Sequence, residues 1–348
     1  MFTRMLVPLD GSALAERTIP VAARLARAAG GTVALVRVTG IPNAYGPYLY
    51  QPYPTQAPVF AQEILDAEQA KAEYYLREVA RSECLEDVTV EMKAYSGTAA
   101  ATILEMAQLM HVDLIVMCSH GRTGWKRWAL GSVAQKVARH CPLPVLLLRE
   151  GSPQTLDMHV DRRGPLRALV ALDGSPFSET ALMPAAQLIN ALAAPGQAAL
   201  HLTQVVKRQP AGGKEGYEVS VDEEEQAMQE AANYLSSIAE NVRKSQVVVP
   251  ELQVTWSAVA KEGVAHTLIR MAELGEDMSM ADVQGCSLIA MATHGWGGLQ
   301  YRMAGSVTGR VLDGTTLPLL MVHPQQQHAA ITNEATGQAA ASAGSRNL

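Results

Sequence analysis

This chain of 348 residues has little cysteine, no excess of basic charge and no long hydrophobic run. Its four cysteines, Cys84, Cys118, Cys141 and Cys286, form no C-x-x-C pair. That spacing excludes a disulfide framework and a zinc site, and it suits a reducing compartment. Cys118 ends an apolar segment and reads as a small buried packing residue. The formal net charge is −6, whereas broad nucleic-acid binding needs a basic face, so no nucleic-acid partner is expected. No apolar run reaches membrane-spanning length and the N-terminus lacks a signal-peptide pattern, so a cytoplasmic protein with no membrane partner is expected. There is no Walker A sequence, no G-x-G-x-x-G fingerprint and no evident base placed to activate water. Robust catalysis is therefore not expected.

What is present is a motif set that occurs twice. Asp10-Gly11-Ser12 follows the apolar stretch Met5–Leu9, and Asp173-Gly174-Ser175 follows Ala168–Leu172. Each is followed much later by His-Gly and then Gly-Ser: His120-Gly121 and Gly131-Ser132, then His294-Gly295 and Gly305-Ser306. The gap from His-Gly to Gly-Ser is the same in both. A chance glycine-rich loop does not recur at fixed spacing within a repeated series of elements, so the chain reads as two copies of one α/β domain. Hydrophobic residues make up 48% and charged residues 18%, which fits two globular domains of ordinary size.

The first copy alternates strand and helix signals. Strands are expected at Met5–Leu9, Thr32–Val38, Val88–Ala94, Leu114–Cys118 and Val145–Leu148. Helices are expected at Ser12–Ala29, Phe60–Ser82, Ala99–Met110 and Ser132–His140, with Ser12 as a cap and Gly30-Gly31 as a stop. The second copy repeats the series. Its strands are Ala168–Leu172, Ala198–Val206, Leu252–Ala258, Ser287–Met291 and Leu319–Val322. Its helices are Pro176–Ala193, Val219–Val242, Val264–Leu274 and Ser306–Leu312. Strands separated by helices imply a parallel sheet covered on both faces. The fold class is thus α/β, with two tandem doubly wound five-stranded sheets and ligand sites at the strands' C-terminal ends.

The expected units are residues 1–150 and 165–324, a polar linker at 151–164 and a disordered tail at 325–348. The last strands, Val145–Leu148 and Leu319–Val322, are expected to pair edge to edge as an internal pseudo-dimer, which removes two exposed edges. Association of two such chains into a homodimer is a further expectation. The acidic excess lies in the second half and linkers, notably Asp222-Glu223-Glu224-Glu225, which reads as a solvated helix start. Gly275–Gly285 is an insertion relative to the first copy, tolerable as a surface loop. Thr39–Pro58, rich in Pro and Tyr, is either a packed surface loop or a lid over a bound base.

Asp10 and Asp173 sit where a strand ends and a helix begins. A carboxylate there can bind an adenine amine, a ribose or a hydrated Mg2+, or it can merely shape the turn. Gly121 and Gly295 follow the fourth strands, and Gly131-Ser132 and Gly305-Ser306 open the next helices. Glycines let backbone N–H groups approach phosphate oxygens, and helix N-termini favour anions. Arg122, Lys126 and Arg127 lie between Gly121 and Gly131, against Arg302 alone between Gly295 and Gly305. Cationic donors favour a triphosphate, so the first site is expected to bind more tightly.

These residues resemble a known family. Val-Pro-Leu-Asp-Gly-Ser, then Ser-His-Gly-Arg-Thr-Gly, Leu-Gly-Ser-Val-Ala and Cys-Pro-Leu-Pro-Val-Leu-Leu-Leu-Arg are similar to the universal stress proteins, and the likeness covers both halves. It implies a Rossmann-like, adenine-nucleotide alpha-hydrolase-like domain that pairs through its last strand. It also implies ATP as the ligand, with or without Mg2+. The matched positions are Asp10, Val38, Gly121, Gly131, Ser132 and Val133 in the first half, with Arg122 added on charge. In the second half they are Asp173, Val205, Gly295, Gly305, Ser306 and Val307. Val38 and Val205 stand where the family contacts adenine through the backbone. The first glycine of the family's G-x-x-G is Cys118 in one half and Ala292 in the other. Three functions remain: an ATP-binding regulator in a stress response, an interaction module that binds no nucleotide, and, with least support, a slow ATPase.

Overall fold

The computed structural model describes residues 1–40, 57–119, 130–149, 164–208, 221–244, 251–278, 285–293 and 306–323. The first half contributes strands β1 (Arg4–Pro8), β2 (Thr32–Thr39), β3 (Thr89–Ser96), β4 (Leu114–Cys118) and β5 (Val145–Leu148). Its helices are α1 (Ala13–Glu16), α2 (Thr18–Ala29), α3 (Ala57–Ala80), α4 (Ala99–Leu109) and α5 (Ser132–His140). The second half supplies β6 (Leu166–Leu172), β7 (Ala198–Lys207), β8 (Gln253–Lys261), β9 (Leu288–Ala292) and β10 (Leu319–Val322). Its helices are α6 (Pro176–Glu179), α7 (Leu182–Leu192), α8 (Val221–Lys244), α9 (Val264–Leu274) and α10 (Ser306–Gly314). The bounds of β4, β5, β10, α5 and α9 coincide with those expected from the sequence.

The ten strands form one sheet in the order β3-β2-β1-β4-β5-β10-β9-β6-β7-β8. Pairing is parallel within each half and antiparallel only between β5 and β10. Leu146 faces Leu320 across that seam, and each is the second residue of its strand, so a pseudo-twofold axis passes between repeat-equivalent residues. The expected edge-to-edge pairing is therefore present. Leu146, Leu147, Leu319 and Leu320 are fully buried. Each such burial contributes about 2 kcal/mol.

Both faces are covered, as the continuous apolar runs of the strands require. One core lies under α2, α3, α7 and α8, and the other under α4, α5, α9 and α10. Each contains residues from both halves. On the first face α2 meets α7, and Arg24 donates to the Leu192 carbonyl. On the second, buried Arg149 reaches from the end of β5 to the Leu312 carbonyl in the last turn of α10. A cation there complements the negative end of the helix.

Two expected helices are each broken in two. Ser12–Ala29 divides at Arg17, and Pro176–Ala193 divides after Glu179. The cause is proline. Pro20 and Pro184 have no N–H to continue the ladder and their rings clash with the carbonyl four residues back. Each instead occupies the first turn of a new helix, where the missing donor costs nothing. Thr18 and Thr180 turn their hydroxyls back onto the Ala15 and Phe177 carbonyls, each at 2.6 Å, at the break. The stop at Gly30 is as expected, with Gly30 left-handed at φ 59°, a conformation glycine adopts without strain.

The acidic run opens α8, with Asp222, Glu223 and Glu224 in its first turn, where the helix dipole favours them. Most of Thr39–Pro58, the linker, the tail and the centre of the 275–285 insertion lie outside the described residues. No described helix is long and apolar enough to cross a membrane.

Candidate functional site

In each half the first strand lies between the second and the fourth: β1 pairs β2 and β4, and β6 pairs β7 and β9. The chain reverses its winding direction there. Beyond the C-terminal ends of such strands lies the crevice where open α/β sheets take ligands. Asp10 and Val38 from β1 and β2 meet that edge, as do Asp173 and Val205 from β6 and β7. Gly131 is brought to the same edge because its N–H donates to the Ser119 carbonyl at 2.7 Å, just past β4. In the second half Thr308, in the first turn of α10, donates to the Ala292 carbonyl at 3.1 Å, at the end of β9. Ser306 and Val307 open that helix. His120, Gly121, Arg122, Lys126, Arg127, His294, Gly295, Arg302 and Gly305 lie outside the described residues.

The two aspartates build the same turn. Asp10 Oδ1 accepts from the Ser12 N–H at 3.0 Å and from its hydroxyl at 2.6 Å, and the Ser12 hydroxyl oxygen accepts from the Ala15 N–H at 3.2 Å. Asp173 and Ser175 repeat this at 3.0 and 2.6 Å, with the Ser178 N–H at 3.1 Å on Ser175. This is a side-chain turn followed by a helix cap. Gly11 and Gly174 hold φ at 84° and 82°. The turn role of the aspartates is thus explicit in the geometry. Among the described residues, no group of three His, Cys, Asp or Glu is placed to hold a metal ion.

The start of α5 differs. Gly131 itself is the cap residue, and among the described residues no side chain caps the helix. Ser132 is the first helical residue, exposed, so it does not serve as the cap. Cys118 is 8% exposed and belongs to the core on the α2 face, together with Leu9, Ala15 and Val116. Its side chain is absorbed by packing, as its place at the end of an apolar strand implies.

Three residues beside the turn were not singled out in the sequence. Arg37, on β2, stacks over the Tyr75 ring of α3 with its guanidinium carbon 4.4 Å from the ring centre. The same guanidinium stands 3.1 Å from where a Cβ on Gly11 would lie, so it sits against the Asp10 turn. Tyr75 in turn donates to Glu16 Oε1 at 2.8 Å. Burial and then the Glu16 carboxylate push the Tyr75 hydroxyl well above its ordinary pKa, which keeps it a donor. The second half retains the Tyr–Glu bond, Tyr234 to Glu179 at 3.1 Å. In place of Arg37 it has Gln204, whose buried Oε1 has no hydrogen-bond partner among the described residues. The signal was present, since an arginine inside the apolar run Val33–Val38 requires a partner. A groove of about 430 Å3 between α2 and α3 shares Glu16 and Tyr75 with this turn and continues past Ile19, Pro20 and Cys84.

Comparison with known proteins agrees with this architecture. The model of the universal stress protein family matches residues 1–149 and again 166–323. A universal stress protein of Methanocaldococcus jannaschii is 27% identical over 150 residues, covering 43% of this chain and 84% of that protein. The universal stress protein YxiE of Bacillus subtilis is 29% identical over 160 residues, covering 43% of this chain and all of YxiE. Among solved structures, a universal stress protein from Archaeoglobus fulgidus superposes with a TM-score of 0.60 at 19% identity. The superposition spans 92% of this chain and 98% of that one. Both halves match the family model in turn and share one doubly wound topology, and the chain belongs to the universal stress protein family as a tandem, two-domain member.

Proposed function

We propose that this protein is an adenine-nucleotide-binding regulator acting in a stress response, without robust catalysis. One observation supports it most. At each switch point the fold gathers an aspartate turn, a strand-end valine and a helix start at one edge. In the first half the cap residue of that helix is Gly131, and among the described residues no side chain caps it. The N–H groups in the first turn of α5 are donors suited to phosphate oxygens. Val38 and Val205 offer strand-end backbone groups to a base. Asp10 and Asp173, anchored through Oδ1, would contact the ribose or the adenine amine. The ligand would be ATP, with or without Mg2+, held by Gly131, Ser132 and Val133 in the first half and by Ser306 and Val307 in the second. Gly121, Arg122, Gly295 and Gly305 complete the proposed sets.

The test is calorimetric titration of nucleotide-stripped protein with Mg-ATP. One or two nucleotides bound per chain supports the proposal. No binding by calorimetry and by a second method overturns it and favours an interaction module.

A further inference from the structure

His201 lies on β7 and is 1% exposed. It shares a sheet face with Thr203, whose hydroxyl oxygen lies 3.6 Å from Met271 Sδ of α9, so this face is the one that α9 covers. Both ring nitrogens reach across to β8, the outermost strand of the half. Nδ1 is 2.9 Å from Thr255 Oγ1, and Nε2 is 2.9 Å from Ser257 Oγ. The Thr255 hydroxyl donates to the Leu200 carbonyl at 3.4 Å and accepts from Arg167 Nη1 at 3.3 Å. In the neutral ring one nitrogen donates to a hydroxyl and the other accepts from one, which both neighbours can provide. The neutral ring is fully satisfied.

Among the described residues the charged ring would have no compensating neighbour. From β6 it is faced by the Arg167 cation, and from β8 by two hydroxyls. On α9, His266 and Arg270 are exposed, Arg270 pairs with Glu276, and Glu273 accepts from Thr315 and Thr316. On β7 itself, Lys207 is exposed. Burial first, then Arg167, lower the His201 pKa to about 4. The first half is built otherwise. Register aligns Leu6, Ala34 and Glu91 with Leu169, His201 and Thr255. Alanine thus stands in place of the imidazole, and Arg4 pairs with Glu91 at 2.6 Å.

We propose that His201 is an acid-sensitive latch that holds β8 on β7, so that falling pH releases the outer edge of the second half while the first half stays closed. The sign follows from linkage. An opened strand exposes an ordinary histidine, which binds a proton below about pH 6.5, whereas the closed ring stays neutral until about pH 4. Between those values opening gains up to about tenfold per pH unit. Val205 pairs with Val259 of β8, so release also loosens the second candidate site. The device does not depend on nucleotide binding.

Hydrogen exchange of the full-length protein at pH 7, 6 and 5, expressed as protection factors, tests this. Protection of Gln253–Lys261 is expected to fall by up to about tenfold per unit below pH 6.5, with Thr89–Ser96 unchanged. His201→Ala, which copies Ala34, and the better-packed His201→Gln should both abolish the pH dependence. Equal losses at both edges, no loss at β8, or the same loss in the folded variant overturns the latch.

Discussion

The two halves keep one frame and differ in what surrounds it. Both have the Asp-Gly-Ser turn with the same bond lengths to the aspartate, and both tie a tyrosine on the long helix to a glutamate beside the turn. Beside the first turn stands Arg37, stacked on Tyr75; beside the second is Gln204, whose buried carbonyl has no partner among the described residues. Asp10 is half-buried and Asp173 exposed. At the opposite end of the strands the first half has an Arg4–Glu91 ion pair, and the second has His201 between two hydroxyls. Backbone-shaping residues are held by geometry that tolerates few substitutes. Side chains that only set local charge are free to diverge, and these divergences are where the halves acquire separate behaviour.

The comparison can be broken at its seam. Leu320→Ala removes a fully buried side chain opposite Leu146 and should cost about 3 kcal/mol by chemical denaturation. A loss under about 1 kcal/mol would mean that the halves are not stabilised by one shared core. It can be sharpened at the proposed sites. Gly131→Asp puts a carboxylate at a helix cap, which favours folding but repels phosphate. We expect ATP affinity to fall at least tenfold, about 1.4 kcal/mol, and by more than in Gly305→Asp. The reverse order in calorimetry would refute the stronger first site. Gln204→Leu replaces a buried carbonyl that has no partner among the described residues and should stabilise the protein by about 1 kcal/mol, seen as a higher denaturation midpoint. Arg37→Gln makes the first half copy the second. Loss of the ring stacking should cost about 0.5–1 kcal/mol. The smallest effect is expected for Glu91→Gln, because a pair that is about a third exposed contributes less than about 1 kcal/mol.

Much of this was legible residue by residue. Leu114–Cys118 and Val145–Leu148 announce themselves as buried strands because a parallel sheet covered on both faces demands uninterrupted apolar runs. The repeat exposes the candidate sites because glycine spacing is a backbone property written directly in the chain. Pro20 and Pro184 were equally visible, yet the amphipathic pattern runs through them, and periodicity alone hides a break that leaves the helix on the same face. Arg37 on Tyr75, Arg4 on Glu91 and His201 on Thr255 and Ser257 were not legible. Their partners lie 38, 87 and 54–56 positions away.

By itself the sequence determined the repeat, the α/β class, the turn chemistry at Asp10 and Asp173, and the helix starts at Ser132 and Ser306. Each of these depends on local backbone preference or on hydrophobic period. Only the tertiary structure decided that Leu146 faces Leu320 on a pseudo-twofold axis and that His201 is buried between two hydroxyls. Those outcomes depend on strand register and on which helix covers which face. Register is set by the whole sheet and not by any stretch of neighbouring residues.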